Sequence, residues 1–498
     1  MKKTIPVIFL LAVLLLSGCT TVIADNTAKD DDNDEAATAY NLSFSDSETD
    51  GSYQINGSTL VELGDEDIRI TKGGTYILQG TLNNASIMVE VEKTEDVQLV
   101  LNNVTINSGD FAGIYIIEGD EITITLAPES VNTITDSGSY TQIDDNSVDA
   151  LIYSKADLII NGSGTLNLGS DYNHGIVSKD DLIITGGTFN IDTAGQGLSG
   201  KDCLKISDGN FKITSYKDAL KSDNSEDEYR GYVYISGGQF DITSYADAIY
   251  GYSLVNIEGG SFKIKTVKSN TADSYKAIKS EKQITISGGN FDIDSVDDGI
   301  HTDGDITISG GTFSIVSQDD GIHADGKIEI SKGDITIEAH EGIEATYVLI
   351  NGGNIDITAS DDGINAAQKV SDYTATFEIN DGYLKIDMGQ GDTDAIDANG
   401  YIYINGGTVD ITAQFPFDYD QGAEHNGGTI IINGTETDEI TSQFGGGMGG
   451  HGGFEPGAGN NTNNQDFTGG DQTPPEGQFP FPGGNQTRPE GGRPDHRN

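Results

Sequence analysis

Two phrases carry the residues best suited to chemistry. DDGIHTDGD runs from Asp297 to Asp305 and DDGIHADGK from Asp319 to Lys327, 22 residues apart. Each sets two adjacent carboxylates before a glycine, an isoleucine and a histidine, with another aspartate two residues on. Such carboxylates bind a divalent cation, divide acid and base roles in hydrolysis, or serve turns along a solvated acidic edge. His301 and His323 are poor ligands for a hard cation such as Ca²⁺. They suit Zn²⁺ with a neighbouring Asp, a hydrogen-bonded position, or a sugar contact, and the residues alone leave these open.

The elements that must hold these phrases are legible in a repeat. Gly-Gly-x-Phe-x-Ile or a close variant recurs as GGTFNI (186–191), DGNFKI (208–213), GGQFDI (237–242), GGSFKI (259–264), GGNFDI (288–293) and GGTFSI (310–315). Looser copies follow at 332, 352, 381 and 406, and the steps are 22, 29, 22, 29, 22, 22, 20, 29 and 25 residues. Each copy holds two short alternating runs, such as DITIS (305–309) and GTFSIV (311–316), which are strand patterns. About 22 residues of short strands and tight turns suit one coil of a parallel β-helix, with coils stacked at about 4.8 Å. Phe189, Phe211, Phe240, Phe262, Phe291 and Phe313 are then expected to stack inside, with glycines at the corners. Residues 41–145 repeat less regularly and read as the cap and opening coils; 146–440 read as regular coils.

In such a solenoid, residues one coil apart lie over one another. The position before the small-then-aliphatic pair reads Asp149, His174, Gln196, Asp218, Asp247, Lys276, Asp298, Asp320, Glu341, Asp362 and Asp394. Like charges stacked at about 4.8 Å cost about 3.5 kcal/mol at an effective dielectric near 20, and about 1 kcal/mol in water. A divalent cation relieves that cost, and calcium takes the oxygens on offer. The candidate calcium ligands are Asp297, Asp298, Asp303, Asp319, Asp320, Asp325, Glu341, Glu344, Asp361 and Asp362. The competing reading is an acidic, solvated edge whose aspartates make turns.

A second stripe is aromatic: Tyr172, Tyr216, Tyr245 and Tyr275 recur just before the ladder position, either as faces for sugar rings or as plain corner residues. Lys276, Lys279 and Arg230 lie around the same coils, either to meet an acidic polysaccharide or to balance acidic neighbours. The chain holds 80 Asp and Glu against 27 Lys and Arg, a formal charge of −53. That surface repels nucleic acid and anionic lipid headgroups.

The ends read differently. MKKTIPVIFLLAVLLLSGC has a positive start, an apolar stretch short for a membrane span, and a Leu-Ser-Gly-Cys lipobox. Residues 1–19 are expected to be a bacterial lipoprotein signal, with Cys19 lipidated and the chain held outside the cytoplasm by that anchor. Residues 20–40 read as an acidic tether and 441–498 as a Gly/Pro/Asn-rich tail with no core. Cys203 is left to be a small buried apolar residue.

The phrases DALIYSKADLIINGSGTLNL, YNHGIVSKDDLIITGGTF, KDALKSDN and KGGTYILQGTL resemble a clostridial-type cell-surface carbohydrate-binding family. The resemblance covers roughly residues 45–435. It implies a right-handed, polysaccharide-lyase-like β-helix holding calcium and binding cellulose or acidic plant polysaccharide such as pectin. His174, Gln196 and Lys276 interrupt the carboxylate ladder and put calcium in their coils in doubt.

Three functions compete. A surface-anchored, non-catalytic polysaccharide-binding protein explains the anchor, ladder and repeats. A calcium-dependent lyase needs a basic residue for proton removal, for which Lys276, Lys279 and Arg230 are candidates, while a polygalacturonase-like hydrolase needs a carboxylate pair. The third reading is an adhesive or structural solenoid. A catalytic set occurs once and a structural set recurs with the coil, which favours binding over chemistry.

Overall fold

The computed structural model describes residues 38–442 except 270, 271, 273 and 390–392. The signal segment with Cys19, nearly all of the tether and the tail beyond 442 lie outside the described residues. The rest is β-structure apart from one short helical turn, Asp46–Thr49.

One coil shows the plan. Gln283–Ile286, Asn290–Ser295 and Ile300–Thr302 are three successive strands, and Asp305–Ile308 starts the next coil. Each strand pairs in parallel with its counterparts in neighbouring coils, so the chain builds three faces of a parallel β-helix. On the first face Val255, Ile284, Ile306 and Ile328 are in register. On the third, Ile278, Ile300, Ile322, Ile343 and Ile364 are in register. Residues alternate between core and solvent, as in Asn290–Ser295, where Phe291, Ile293 and Ser295 point inward.

The phenylalanines form the spine of the second face. Phe189 to Phe313 stack with ring centroids 4.6–4.9 Å apart and planes within 6°. Ile335, Ile355, Leu384 and Val409 continue the column below them. The glycine pair before each Phe has two separate causes. A Cβ on Gly288 would lie 2.5 Å from the Glu258 carbonyl of the coil above. Gly289 has φ +108°, which L side chains rarely adopt. The column ends in a turnback: Thr435–Thr437 pairs antiparallel with Thr429–Ile432.

One element was not read from the sequence. Residues 40–53, of which Tyr40 was expected to end the tether and 41–53 to belong to the cap, run along the outside of the first face, across the strands. Tyr40 packs edge-on against Tyr229 and Tyr232, and Phe44 stacks on Tyr234. Further along, Glu48 pairs with Lys205 at 3.1 Å, both buried, while Thr185 and Asn161 donate to the Glu48 carbonyl. Tyr53 ends the strap against Ile77, Val100 and Ala127. The outer face beneath is apolar or aromatic at the two ends of the strap, with Asn161, Thr185 and Lys205 as polar partners between them. Cys203 belongs here, buried and unpaired as a thiol, beside Tyr232, Tyr234 and Leu254.

The spine predicts a measurable cost. Phe262→Ala, in mid-stack, should lower unfolding stability by about 3–5 kcal/mol, since it leaves a cavity between two rings that cannot collapse. Urea unfolding followed by circular dichroism checks this, and an unchanged midpoint would show that the rings stack without bearing on stability.

Candidate functional site

The third face carries the chemistry, because its short strands place one outward side chain per coil directly after the buried aliphatic residue. That position changes character along the axis. It reads Lys221, Tyr250, Lys279 in the upper coils, His301 and His323 in the middle, and Glu344, Asn365, Asp397 below. The ladder position runs beside it, its backbone joined coil to coil through the carbonyls of Asp247, Lys276, Asp298 and Asp320.

In the middle zone the carboxylates are neutralised both within their own coil and from neighbouring coils. Lys276 Nζ lies 2.9 Å from Asp297 and 3.3 Å from Asp298. His301 Nδ1 is 2.7 Å from Asp298, and His323 Nδ1 is 2.5 Å from Asp320 and 3.0 Å from Glu344. Lys369 Nζ closes on Glu344 at 2.8 Å. Burial pushes Asp298 upward, but the His301 hydrogen bond and then the Lys276 charge outweigh it and hold it near 2. For His323, burial favours the neutral ring, but the bonds to Asp320 and Glu344 prevail and raise it to about 10.

In the lower zone that compensation stops. Burial, then Glu344 and Asp320, push Glu341 up to about 8, against the hydrogen bond from Asn365. Asp362 and Asp397 rise to about 6, first through burial and then through neighbouring aspartates. Among the described residues no lysine or arginine pairs with Glu341, Asp362 or Asp397. Such oxygen-rich, under-neutralised groups fit a hard divalent cation. Ligand atoms of His340, Glu341 and Asp361 converge within 4.8 Å, as do those of Asp297, Asp298 and Asp319. The second set already has Lys276 as its cation. Asp303 and Asp325 instead approach the Nε2 atoms of His301 and His323, at 3.3 and 3.5 Å.

A further acidic set, Asp157, Asp180 and Asp181, was not singled out from the sequence. Burial, then Asp181 and Asp180, push Asp157 up to about 8. The phrases KADLII and KDDLII one coil apart were its signal.

The upper zone is a groove of about 400 Å³ lined by Asp218, Lys221, Asp223, Asp247, Tyr250 and Lys279, with Ser225 and Tyr252 at its margin. The Tyr250 ring lies between coils whose lysines approach it, Lys221 Nζ at 5.2 Å and Lys279 Nζ at 5.4 Å from its centroid. Both lysines are anchored, Lys221 by Asp218 at 3.0 Å and Lys279 by Glu281 at 3.1 Å. Tyr250 was missed because the stripe of His301 and His323 was followed only down the chain. Followed upward, the same register reaches it at once.

Of the tyrosines expected to face sugars, Tyr216 and Tyr245 stack in parallel at 4.4 Å, and Tyr216 is 49% exposed. Tyr172 stacks on Tyr140 at 4.2 Å. Tyr275 does not join them: it is buried, and its hydroxyl donates to the Ser269 and Ala272 carbonyls. The loop after Thr266 is longer in this coil and draws the ring inward. Lys276 is taken up by Asp297 and Asp298, and Arg230 by Asp202, Asp227 and Asp180, so neither is a free cation. Lys279 alone of the three lines the groove.

A family model described as a carbohydrate-binding domain-containing protein matches residues 64–321 and 316–445, and the chain belongs to that family. A carbohydrate-binding domain-containing protein of Acetivibrio thermocellus is 32% identical over 174 residues, 34% of this chain. The chain spans 61% of that relative's length. A solved structure titled as the polysaccharide lyase-like protein from C. thermocellum, gadolinium derivative, is 32% identical, with a TM-score of 0.41, covering 44% of this chain and 94% of that one.

The lower zone sets a pH dependence. A carboxyl raised in the folded state binds its proton more tightly than in the unfolded chain, so stability falls as pH rises across the interval between the two values. In chelator, the melting temperature should therefore fall from about pH 5 to about pH 8, the range across which Glu341 and Asp157 ionise. Added calcium should reduce that fall, and Glu341→Gln should reduce it without calcium, leaving the part that Asp157 contributes. A melting temperature level across this range in chelator would contradict the assignment.

Proposed function

We propose that the chain is a non-catalytic polysaccharide-binding protein whose glycan surface is the third face, centred on the Tyr250 groove. The observation that carries this reading is a tyrosine held between two anchored lysines in an open groove edged with carboxylates. The ring offers a face for sugar C–H groups, and Asp218, Asp223 and Asp247 offer acceptors for sugar hydroxyls. The stacked pair Tyr216 and Tyr245 lies at the corner before the same strands and extends the surface. Cellulose and acidic plant polysaccharide such as pectin are the ligand classes in view.

Calcium enters as a stabiliser of the lower coils, on Glu341, Asp361 and Asp362, where no lysine or arginine among the described residues pairs with Glu341 or Asp362. Lipidation at Cys19, placing the solenoid outside the bacterial membrane, completes the proposal. What supports binding over chemistry is the state of the basic groups. A lyase base must shed a proton, yet Lys276 is buried in ion pairs that raise it above the ordinary lysine range. Arg230 and Lys279 are likewise paired.

Tyr250→Ala should weaken retention on the preferred polymer about tenfold, the loss of about 1.4 kcal/mol of ring contact, with the melting temperature little changed. Depletion binding to insoluble cellulose and to calcium-set polygalacturonate measures it. Wild-type affinity in the variant would move the glycan site away from the groove.

A further inference from the structure

The two histidines in the middle zone are more than charge balance. Each is held in the same way: Nδ1 faces the carboxylate three residues earlier, Asp298 for His301 and Asp320 for His323. A carboxylate only accepts, so Nδ1 carries a proton and donates it; Nε2 faces a second carboxylate, and a metal ion bound there displaces any proton on Nε2. This is the arrangement by which proteins orient an imidazole as a metal ligand. It occurs twice, one coil apart, because the DDGIH phrase is copied at the coil interval. The two rings stand over one another with centroids 4.7 Å apart and planes tilted by 33°.

On the outer side each Nε2 has an oxygen donor at hand, Asp303 for His301 at 3.3 Å and Asp325 for His323 at 3.5 Å. Asp303 and Asp325 are half-exposed, so the site opens to solvent. Two imidazole nitrogens on one tetrahedral zinc stand about 3.3 Å apart, given bonds of about 2.0–2.1 Å. With centroids 4.7 Å apart, the two rings must close toward each other to share one ion.

We propose that His301 and His323, with Asp303 and Asp325, form a site for one borderline-soft divalent metal ion such as Zn²⁺, and that Asp298 and Asp320 orient the two imidazoles. The ion ties two successive coils together from outside. The donor set, two nitrogens and two oxygens, distinguishes it from the oxygen-only calcium positions below. The inference does not depend on the glycan reading.

The test uses the full chain and Co²⁺, which reports tetrahedral nitrogen and oxygen ligation by its visible absorption. Calcium is present in large excess, so that the many exposed carboxylates do not compete. The expected result is saturation at one Co²⁺ per chain, displaced by Zn²⁺ and not by calcium. His301→Gln and His323→Gln should each abolish the band. Asp298→Asn should weaken binding about 10–100-fold by loosening the imidazole it orients. Asp303→Asn with Asp325→Asn, both partly exposed, should weaken binding while thermal unfolding stays at the wild-type temperature, which separates loss of ligands from loss of fold. Absence of a saturable band in the wild-type chain, or a band unchanged in the double histidine variant, would overturn the proposal.

Discussion

Everything in this molecule follows from in-register parallel stacking. Each coil hydrogen-bonds to the next with equivalent residues superposed at the inter-strand spacing, so a side chain's nearest neighbours are its own counterparts one coil away. For apolar residues that rule is favourable without limit: phenylalanine on phenylalanine and isoleucine on isoleucine fill the interior at crystal-like density. For charged residues it is unfavourable, because a carboxylate copied along the axis meets itself. The sequence repeats the interior and varies the exterior, and the variation on the third face holds the proposed glycan and cation positions.

Three solutions to that repulsion appear along one stripe. In the upper coils, lysines alternate with a tyrosine, and the carboxylates sit beside them in ion pairs. In the middle, imidazoles and Lys276 stand between aspartates of successive coils. In the lower coils the acids face one another with little but Asn365 between them, and their proton affinities rise. A gradient from aromatic and basic to acidic thus runs along a single face, and it separates a groove suited to sugar from positions suited to cations.

The fold was legible because its signal repeats. A glycine pair, a phenylalanine and an isoleucine at a near-constant step leave little choice of architecture, and the same register placed His301 over His323 correctly. What escaped notice lacks a period. The strap of residues 40–53 occurs once, and its partners, Lys205 and Tyr234, lie far along the chain. Tyr275 follows the tyrosine pattern, yet an insertion turns it inward. For Lys276 and Arg230 the sequence left sugar contact and charge balance both open, because their partners, Asp297 and Asp202, are near only in three dimensions. Tyr250 sat in a position already recognised as important, two coils above His301, where it was first followed.

The account's central claim is that this face binds polysaccharide without cleaving it. The direct measurement mixes the chain with calcium-set polygalacturonate and with cellulose, and follows both the protein retained on the polymer and the ultraviolet absorbance of unsaturated uronide ends over hours. Retention with a flat absorbance trace is the predicted result. A calcium-dependent rise in absorbance, or failure to be retained on either polymer, would contradict it.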